Sequence, residues 1–369
     1  MSSAASVNER LARLTQLGTS IWLDQIQRSL TQGGELRRLV DESSLRGMTS
    51  NPAIFEKAIL GGDEYDEQIA ELFHDDADSR SIYQAVAIQD VQEAADVLRS
   101  VYDETGGYDG YVSLEVDPDL AFDTDKTIAQ AKEYWGRVDR PNLMIKIPGT
   151  DEGLPAIEQA LYEGININVT LLFKVSQYEK VIEAFLRGLE RRLDEGKPVS
   201  GIHSVASFFV SRVDTEVDKR LEASSADASL FGKAGVANAR WAYQSYLKVF
   251  KGDRFAKLRE AGVPVQRPLW ASTGVKNPKY SDVMYVDGLA GPETVNTMPI
   301  ATLEAAADHS EVTEPLVTID PSDDLKALAD AGIDLDDVTD KLLRDGVDAF
   351  VTPMVKLLEG IDSKKKAVA

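Results

Sequence analysis

The sequence contains no cysteine, so disulfides, thiolate zinc sites and thiol nucleophiles are excluded. Its histidines, His74, His203 and His309, lie far apart without paired ligand spacing, which disfavours a histidine metal site. A G-x-x-x-x-G-K-[ST] loop and a G-x-G-x-x-G loop after a strand are both missing, which disfavours the common nucleotide-binding folds. We therefore expect neither a bound metal nor an organic cofactor.

Basic residues are also scarce, because 40 Lys and Arg stand against 62 Asp and Glu and give a net charge of −22. Nucleic acids and anionic membranes need a basic footprint, so both are disfavoured as partners. No apolar run approaches the roughly 18 residues of a membrane span, and the N-terminus lacks the pattern of a secretory signal. The sequence predicts a cytoplasmic protein and leaves open whether it is a monomer or a homodimer.

Strand-like segments alternate with helix-like segments along the whole chain. Eight such segments favour an α/β fold of the (β/α)8 TIM-barrel type, with an open doubly wound sheet as the second choice. Residues 1–369 are interpreted as one barrel domain with an N-terminal helix at about 6–17 and C-terminal helices at about 323–360. The long spacers 52–109 and 209–264 predict additional helices. The predicted strands are 18–24, 45–51, 110–116, 142–148, 165–171, 201–208, 265–272 and 283–287, and the clearest predicted helices are 82–102, 125–137, 178–195 and 234–250.

The strand 142–148 carries a single lysine, Lys146, among apolar residues. An ammonium group is costly to desolvate in a buried parallel strand, so burial would lower the pKa of this side chain. A neutral lysine amine is a nucleophile that can form a Schiff base with a ketone or an aldehyde. The alternative is a lysine on an edge strand whose amine reaches water.

Polar and apolar residues alternate in several of the predicted strands. In 165–171, Asn166, Asn168 and Thr170 lie opposite four aliphatic residues. If the aliphatic face meets the outer helices, the polar face points into the barrel, near the carboxyl ends of the strands where barrel active sites lie. Half-exposed antiparallel strands would alternate in the same way. The polar residues predicted to share this side are Asp24, Ser113, Glu115, Lys146, Asn166, Asn168 and Thr170.

Schiff-base chemistry needs groups that move protons, and Asp24 and Glu115 are the candidate carboxylates. Asp24 could instead cap a helix or pair with an arginine, and Glu115 could stabilise a turn. Thr170 could position a water, although threonine is also a common strand residue. Asn51 and Asn168 could bind substrate hydroxyls, but an asparagine followed by proline, as at Asn51, is also typical of a turn into a helix.

A phosphate group would need cations in the late loops of the barrel, which are frequent phosphate sites. Arg212 follows the sixth predicted strand, and Lys276 follows the seventh. Each of them could also be an ordinary surface cation. The pair nevertheless predicts a site for an anionic substrate in a chain of negative net charge.

Several of these segments together resemble the transaldolase family, in particular its longer bacterial form. The resemblance covers nearly the whole chain and extends beyond the strand that carries Lys146. The matching segments are 19–24 (TSIWLD), 48–55 (MTSNPAIF), 112–117 (VSLEVD), 143–148 (LMIKIP), 164–173 (GININVTLLF), 206–212 (ASFFVSR), 270–278 (WASTGVKNP) and 296–299 (NTMP).

The resemblance implies a Schiff-base transferase of the non-oxidative pentose phosphate pathway. It would exchange a dihydroxyacetone unit between sedoheptulose 7-phosphate and glyceraldehyde 3-phosphate, giving erythrose 4-phosphate and fructose 6-phosphate. Lys146 would be the amine and Asp24 the acid–base at the cleaved hydroxyl, while Glu115 and Thr170 would hold a water that relays protons. The implied binding residues are Asn51, Asn168 and Ser207 for the dihydroxyacetone unit, Phe209 as a pocket wall, and Arg212 and Ser272 for phosphate.

The chain departs from the family pattern in the loop after the seventh strand. Family members with a different loop use an arginine shortly after the serine, whereas here the run from Ser272 leads to Lys276. We therefore assign the second phosphate cation to Lys276, which offers a point charge rather than a bidentate fork.

Two rival functions remain open from the sequence. A fructose 6-phosphate aldolase on the same barrel would release free dihydroxyacetone, but such relatives tend to have glutamine and tyrosine where Glu115 and Phe209 stand. A noncatalytic barrel that binds sugar phosphates would be expected to lack the amine or its acid–base partner, yet both Lys146 and Asp24 are present.

Overall fold

A computed structural model describes residues 7–74, 77–224 and 227–368 of the chain. Its strands β1 to β8 pair in chain order, all in parallel, and β8 pairs with β1. The predicted (β/α)8 barrel is therefore confirmed, and the open sheet is excluded. The strands are β1 (Thr19–Asp24), β2 (Leu45–Thr49), β3 (Tyr111–Glu115), β4 (Leu143–Pro148), β5 (Ile167–Leu172), β6 (Ser204–Phe209), β7 (Arg267–Ala271) and β8 (Thr294–Met298).

Helices surround this barrel and fill the long connections between its strands. The α-helices are α1 (Glu9–Gln16), α2 (Arg28–Gln32), α3 (Glu35–Glu42), α4 (Pro52–Leu60), α5 (Asp66–His74), α6 (Ser79–Glu104), α7 (Thr124–Val138), α8 (Gly153–Glu163), α9 (Val175–Asp194), α10 (Ser211–Ser224), α11 (Ala234–Phe250), α12 (Ala256–Glu260), α13 (Met284–Gly288), α14 (Ile300–His309), α15 (Ser322–Asp330) and α16 (Leu335–Val368). Short 3-10 helices lie at Pro118–Leu120, Ala228–Leu230, Asp253–Phe255 and Leu316–Thr318. Within the described ranges, no helix is long and apolar enough to cross a bilayer.

The helix predictions hold where the apolar periodicity is long. The four helices predicted at 82–102, 125–137, 178–195 and 234–250 correspond to α6, α7, α9 and α11, and the extra helices of the long spacers are α4 to α6 and α10 to α12. At the N-terminus, Asn8 caps α1 by accepting from the backbone N–H groups of Arg10 and Leu11. Residue 6, the predicted start of this helix, lies outside the described residues.

The eighth predicted strand is wrong. Residues 283–287 fall on the short helix α13, and the strand that closes the barrel is β8, Thr294–Met298. A short apolar run fits a buried strand and a buried helix equally well, because its periodicity covers too few residues to separate them. Closure decides between them, since β8 is the segment that pairs with both β7 and β1.

The register of the central strands places the predicted polar residues side by side. Glu115 on β3 is the partner of Lys146 on β4, and Lys146 is in turn the partner of Asn168 on β5. Because side chains alternate along each strand, these three point to the same side of the sheet, which is the barrel interior. On β1 and β2, Asp24 is likewise the partner of Thr49.

A buried polar network fills the opposite, amino-terminal end of the barrel. Arg267 forms an ion pair with Asp109 at 2.9 Å and donates a hydrogen bond to Ser20 Oγ at 2.7 Å. Trp22 Nε1 also donates to Asp109, at 3.2 Å. These side chains occupy the interior below the site, so the polar cavity described next lies at the carboxyl ends of the strands.

Candidate active site at the carboxyl end of the barrel

A cavity of about 170 Å³ lies at the carboxyl ends of the strands and brings together most of the predicted site residues. Glu115 and Asn168 do not line it directly, but they contact Lys146 and Ser207, which do. The predicted residues that line it are Asp24, Asn51, Lys146, Thr170, Ser207, Phe209, Arg212, Ser272 and Lys276.

Lys146 is buried, with 4% of its surface exposed, between two neighbouring strands. The alternative of an edge-strand lysine that reaches water is therefore excluded. Its Nζ donates a hydrogen bond to the backbone carbonyl of Ser50 at 3.0 Å and lies 3.0 Å from Glu115 Oε2. The amine thus sits inside the barrel beside a group that can take up its proton.

Both candidate carboxylates have a raised pKa. Burial raises the pKa of Glu115 to about 6, the Lys146 charge opposes this rise, and the nearby Asp24 adds to it. Burial also raises the pKa of Asp24, against the charge of Lys146 and a hydrogen bond from Thr49. Carboxyl groups shifted in this direction can exchange protons near neutral pH, as general acid–base chemistry requires.

Two threonines hold Asp24 in place. Thr49 Oγ1 donates to Asp24 Oδ1 at 2.6 Å, and the hydroxyls of Thr49 and Thr297 lie 2.6 Å apart. Because Thr49 uses its proton on the carboxylate, Thr297 is the donor in the second bond. These two hydrogen bonds fix one oxygen of Asp24, and the residue lines the cavity. The helix capping considered for Asp24 does not occur, since the residue that precedes α2 is Gln27.

Some buried polar atoms at the site have no hydrogen-bond partner among the described residues. They include Glu115 Oε1 and Thr170 Oγ1, whereas Glu115 Oε2 lies 3.0 Å from Lys146 Nζ. Leu171 has a positive φ of 59°, and the β5–β6 pairing shifts register there. Such backbone strain is typical of functional sites, where it directs neighbouring side chains.

The amide side chains play different parts. Asn168 is fully buried, donates to Ser113 Oγ at 3.0 Å and accepts from Ser207 Oγ at 2.7 Å, which orients Ser207 toward the cavity. Asn51 lines the cavity and also caps α4, since its Oδ1 accepts from the N–H of Ile54 at 3.0 Å. The turn into a helix is therefore confirmed at Asn51. Because capping uses its oxygen and not its amide nitrogen, binding of a substrate hydroxyl through that nitrogen stays a prediction.

Two cations, Arg212 and Lys276, also line the cavity. Within the described ranges, neither Arg212 nor Lys276 forms a salt bridge, although both are near enough to lower the pKa of Asp24. The Arg212 guanidinium lies 5.2 Å from the centre of the Phe209 ring, and burial lowers its pKa. A partly buried cation such as Arg212, which forms no salt bridge within the described part of the chain, is a favourable place for an anionic ligand.

Ser272 lies beside these cations in a strained conformation. Its φ is 55°, and its hydroxyl lies 2.9 Å from that of Ser211, the first residue of α10. A non-glycine residue in the left-handed region is uncommon, and such strain occurs often beside functional sites.

The sequence patterns did not single out three further residues at the site. Thr49 and Thr297 are strand threonines whose role depends on the register beside Asp24, so a correct β8 would have been needed to find Thr297. Phe350 lies in the last helix, α16, yet lines the cavity. In the sequence it is one more apolar residue of an amphipathic helix, and no local signal distinguishes it.

Comparison with known proteins shows which family the chain belongs to. The family described as Transaldolase/Fructose-6-phosphate aldolase matches residues 21–361. The Transaldolase of Mycobacterium marinum is 51% identical over 372 residues, covering 99% of this chain and 100% of the relative. The Transaldolase of Mycolicibacterium smegmatis is 50% identical, covering 97% and 99%, and the Transaldolase 2 of Streptomyces coelicolor is 49% identical, covering 98% and 99%. The chain belongs to the transaldolase/fructose-6-phosphate aldolase family.

Proposed function

We propose that this protein is a transaldolase that carries a dihydroxyacetone unit on Lys146. It would act in the non-oxidative pentose phosphate pathway of the cytoplasm, between sedoheptulose 7-phosphate and glyceraldehyde 3-phosphate, as a single barrel domain. The proposal rests on a buried amine that lies 3.0 Å from a carboxylate and in the same cavity as two cations, which form no salt bridge with any residue that the structure describes. An amine can form a Schiff base with a sugar carbonyl, and the cations can bind the phosphate of the same sugar.

The first half of the reaction forms a covalent intermediate. The amine of Lys146 attacks the ketose carbonyl to form a carbinolamine. Loss of water from the carbinolamine gives an imine. Glu115 and Thr170 would hold the water that relays these protons, since Glu115 Oε1 and Thr170 Oγ1 have no hydrogen-bond partner among the described residues. Asp24 then takes the proton from the hydroxyl next to the breaking carbon–carbon bond, the aldehyde product leaves, and an enamine remains on Lys146.

The second half reverses this sequence with another aldehyde. The enamine carbon attacks the acceptor carbonyl, Asp24 returns its proton to the new hydroxyl, and hydrolysis of the imine frees the ketose product. Thr49 and Thr297 keep Asp24 in one position through both halves. Arg212, Lys276 and Ser272 would hold the phosphate of either aldehyde, so that its carbonyl meets the same carbon.

Reductive trapping tests the proposal directly. Borohydride added with fructose 6-phosphate should fix an adduct on the peptide that contains Lys146, and Lys146→Met should abolish the adduct and the turnover. Lys180→Met is the matched control, because Lys180 is exposed and pairs with Asp151 on the outer surface. An adduct on another lysine, or turnover retained in Lys146→Met, would reject the mechanism.

A second assay separates transfer from release. Fructose 6-phosphate and erythrose 4-phosphate should give sedoheptulose 7-phosphate faster than fructose 6-phosphate alone gives free dihydroxyacetone. The opposite order would identify a fructose 6-phosphate aldolase instead. The absence of both reactions would favour a noncatalytic sugar-phosphate barrel.

A further inference from the structure

The C-terminal helix α16 crosses the open end of the barrel. Near its start, Asp340 pairs with Lys174, which follows β5, at 3.1 Å, and Asp337 pairs with Arg220 of α10, after β6, at 2.7 Å. Near its end, Gly360 packs on Leu60 of α4, which follows β2. Since β2 and β6 lie on opposite sides of an eight-stranded ring, a helix anchored at both spans the mouth.

Phe350 lies in the middle of this crossing and faces the amine. It is 3% exposed, and the centre of its ring lies 5.5 Å from Lys146 Nζ. Among the described residues of α16, it is the one that lines the cavity. The other neighbours of Lys146 reported above are polar, so Phe350 supplies an apolar wall beside the amine, in a cavity whose lining also includes the aromatic ring of Phe209.

Close helix packing holds this ring near the amine. Gly346 lies one turn before Phe350 on the same face of α16, and a Cβ there would come within 3.1 Å of the Leu171 side chain and 3.4 Å of Phe173. A larger side chain would push the helix outward. Pro353 follows within the next turn and has no N–H for the carbonyl of Ala349, which weakens the helix ladder beside Phe350.

The proposed chemistry gives such a wall a specific task. The enamine left on Lys146 has two fates, and its nucleophilic carbon is two bonds from Nζ. In transfer, that carbon bonds to the acceptor aldehyde, whose oxygen takes up a proton. In release, the same carbon takes up a proton instead, water adds to the resulting imine, and the carbon–nitrogen bond breaks to give dihydroxyacetone and the free amine. Protonation of the carbon therefore decides between the two.

We infer that Phe350 determines specificity by keeping bulk water, and the protons that it delivers, away from the enamine carbon. Its ring offers no proton and excludes solvent from the side of the amine that it covers. Water bound by Glu115 and Thr170 would still hydrolyse the imine after transfer, so product release does not need solvent from the Phe350 side. The inference rests on the proposed Schiff-base function and adds a reason why transfer exceeds release.

The test measures the ratio of dihydroxyacetone release from fructose 6-phosphate alone to transfer onto erythrose 4-phosphate. Phe350→Ala should raise this ratio about tenfold, and Phe350→Leu should raise it less, because leucine retains part of the wall. Leu342→Ala is the matched control, since Leu342 is a buried apolar residue of the same helix and does not line the cavity. It should leave the ratio within about twofold of the wild-type value.

A second measurement follows protonation of the carbon itself. In deuterated water with dihydroxyacetone, Phe350→Ala should accelerate deuterium entry at the carbon beside the carbonyl. The inference is overturned if transfer and release fall together in Phe350→Ala, or if Leu342→Ala changes the ratio as much. If Phe350→Ala does not fold, Phe350→Leu decides by the same criterion. Failure of wild-type trapping at Lys146 would instead reject the proposed function itself.

Discussion

Replacing Lys146 by methionine tests the buried ion pair at the centre of the site. Methionine has a similar length but no charge, so the variant leaves Glu115, itself 3% exposed, without a cation at 3.0 Å. Removing one partner of a buried ion pair costs about 3–5 kcal/mol of stability, because the remaining charge stays desolvated. That cost should depend on pH, because a protonated Glu115 carries no charge.

The raised pKa of Glu115 sets the direction of this dependence. Below pH 4.5 the carboxyl is protonated in the folded and the unfolded chain, so its burial carries no charge penalty. As pH rises from 4.5 to about 6, the unfolded chain loses this proton first, and the free energy of unfolding falls. Since one pKa unit is worth about 1.4 kcal/mol, the fall in the wild-type protein is about 2 kcal/mol. Without the Lys146 charge, the pKa rises further and the fall continues above pH 6.

Urea unfolding at pH 5 and pH 8 measures the effect. Lys146→Met should be close to the wild-type stability at pH 5 and about 3–5 kcal/mol less stable at pH 8. Adding Glu115→Gln removes the stranded charge and should restore most of the loss at pH 8. An equal difference between Lys146→Met and wild type at both pH values, or a double variant no more stable than the single one, would refute the buried ion pair.

The remaining predictions concern the lower end of the barrel and the phosphate cations. Asp109→Ala leaves the buried Arg267 without its partner, so it should lower the free energy of unfolding in urea titration by about 3–5 kcal/mol. The control Asp103→Ala breaks the exposed pair with Arg99 and should lower it by less than about 1 kcal/mol. Equal losses of stability in the two variants would mean that the Arg267–Asp109 pair is exposed to solvent. Lys276→Ala should raise KM for phosphorylated sugars about tenfold and leave KM for an unphosphorylated analogue nearly unchanged. Lys279→Ala, three residues away and outside the cavity lining, is its control, and parallel increases for both substrates would remove Lys276 from the phosphate site.

Much of the barrel and of its site could be predicted because the information is local. In 142–148 and 165–171, alternation alone separates Lys146, Asn168 and Thr170 from the aliphatic face, since a strand has a side-chain period of two. Long amphipathic helices such as α6 and α11 were predicted for the same reason, because many turns repeat one pattern.

Short segments carried too little pattern for a correct prediction. The run at 283–287 contains few residues and no flanking signal strong enough to separate a helix from a strand. The predicted number of strands, eight, is therefore correct, but the segment predicted as the eighth strand is wrong. Thr297, which supports Asp24 through Thr49, was missed together with β8. An error in one element therefore removed a residue from the predicted site.

The barrel class and the inward set of polar residues that includes Lys146 could be inferred without coordinates, because alternation and strand order follow from backbone geometry. The distance from Lys146 to Glu115, the hydrogen bonds that hold Asp24, and the position of Phe350 over the amine appear only in the folded chain. These depend on strand register and on a helix that returns across the barrel from the far end of the chain. Contacts between segments so distant in sequence leave no periodicity in either segment.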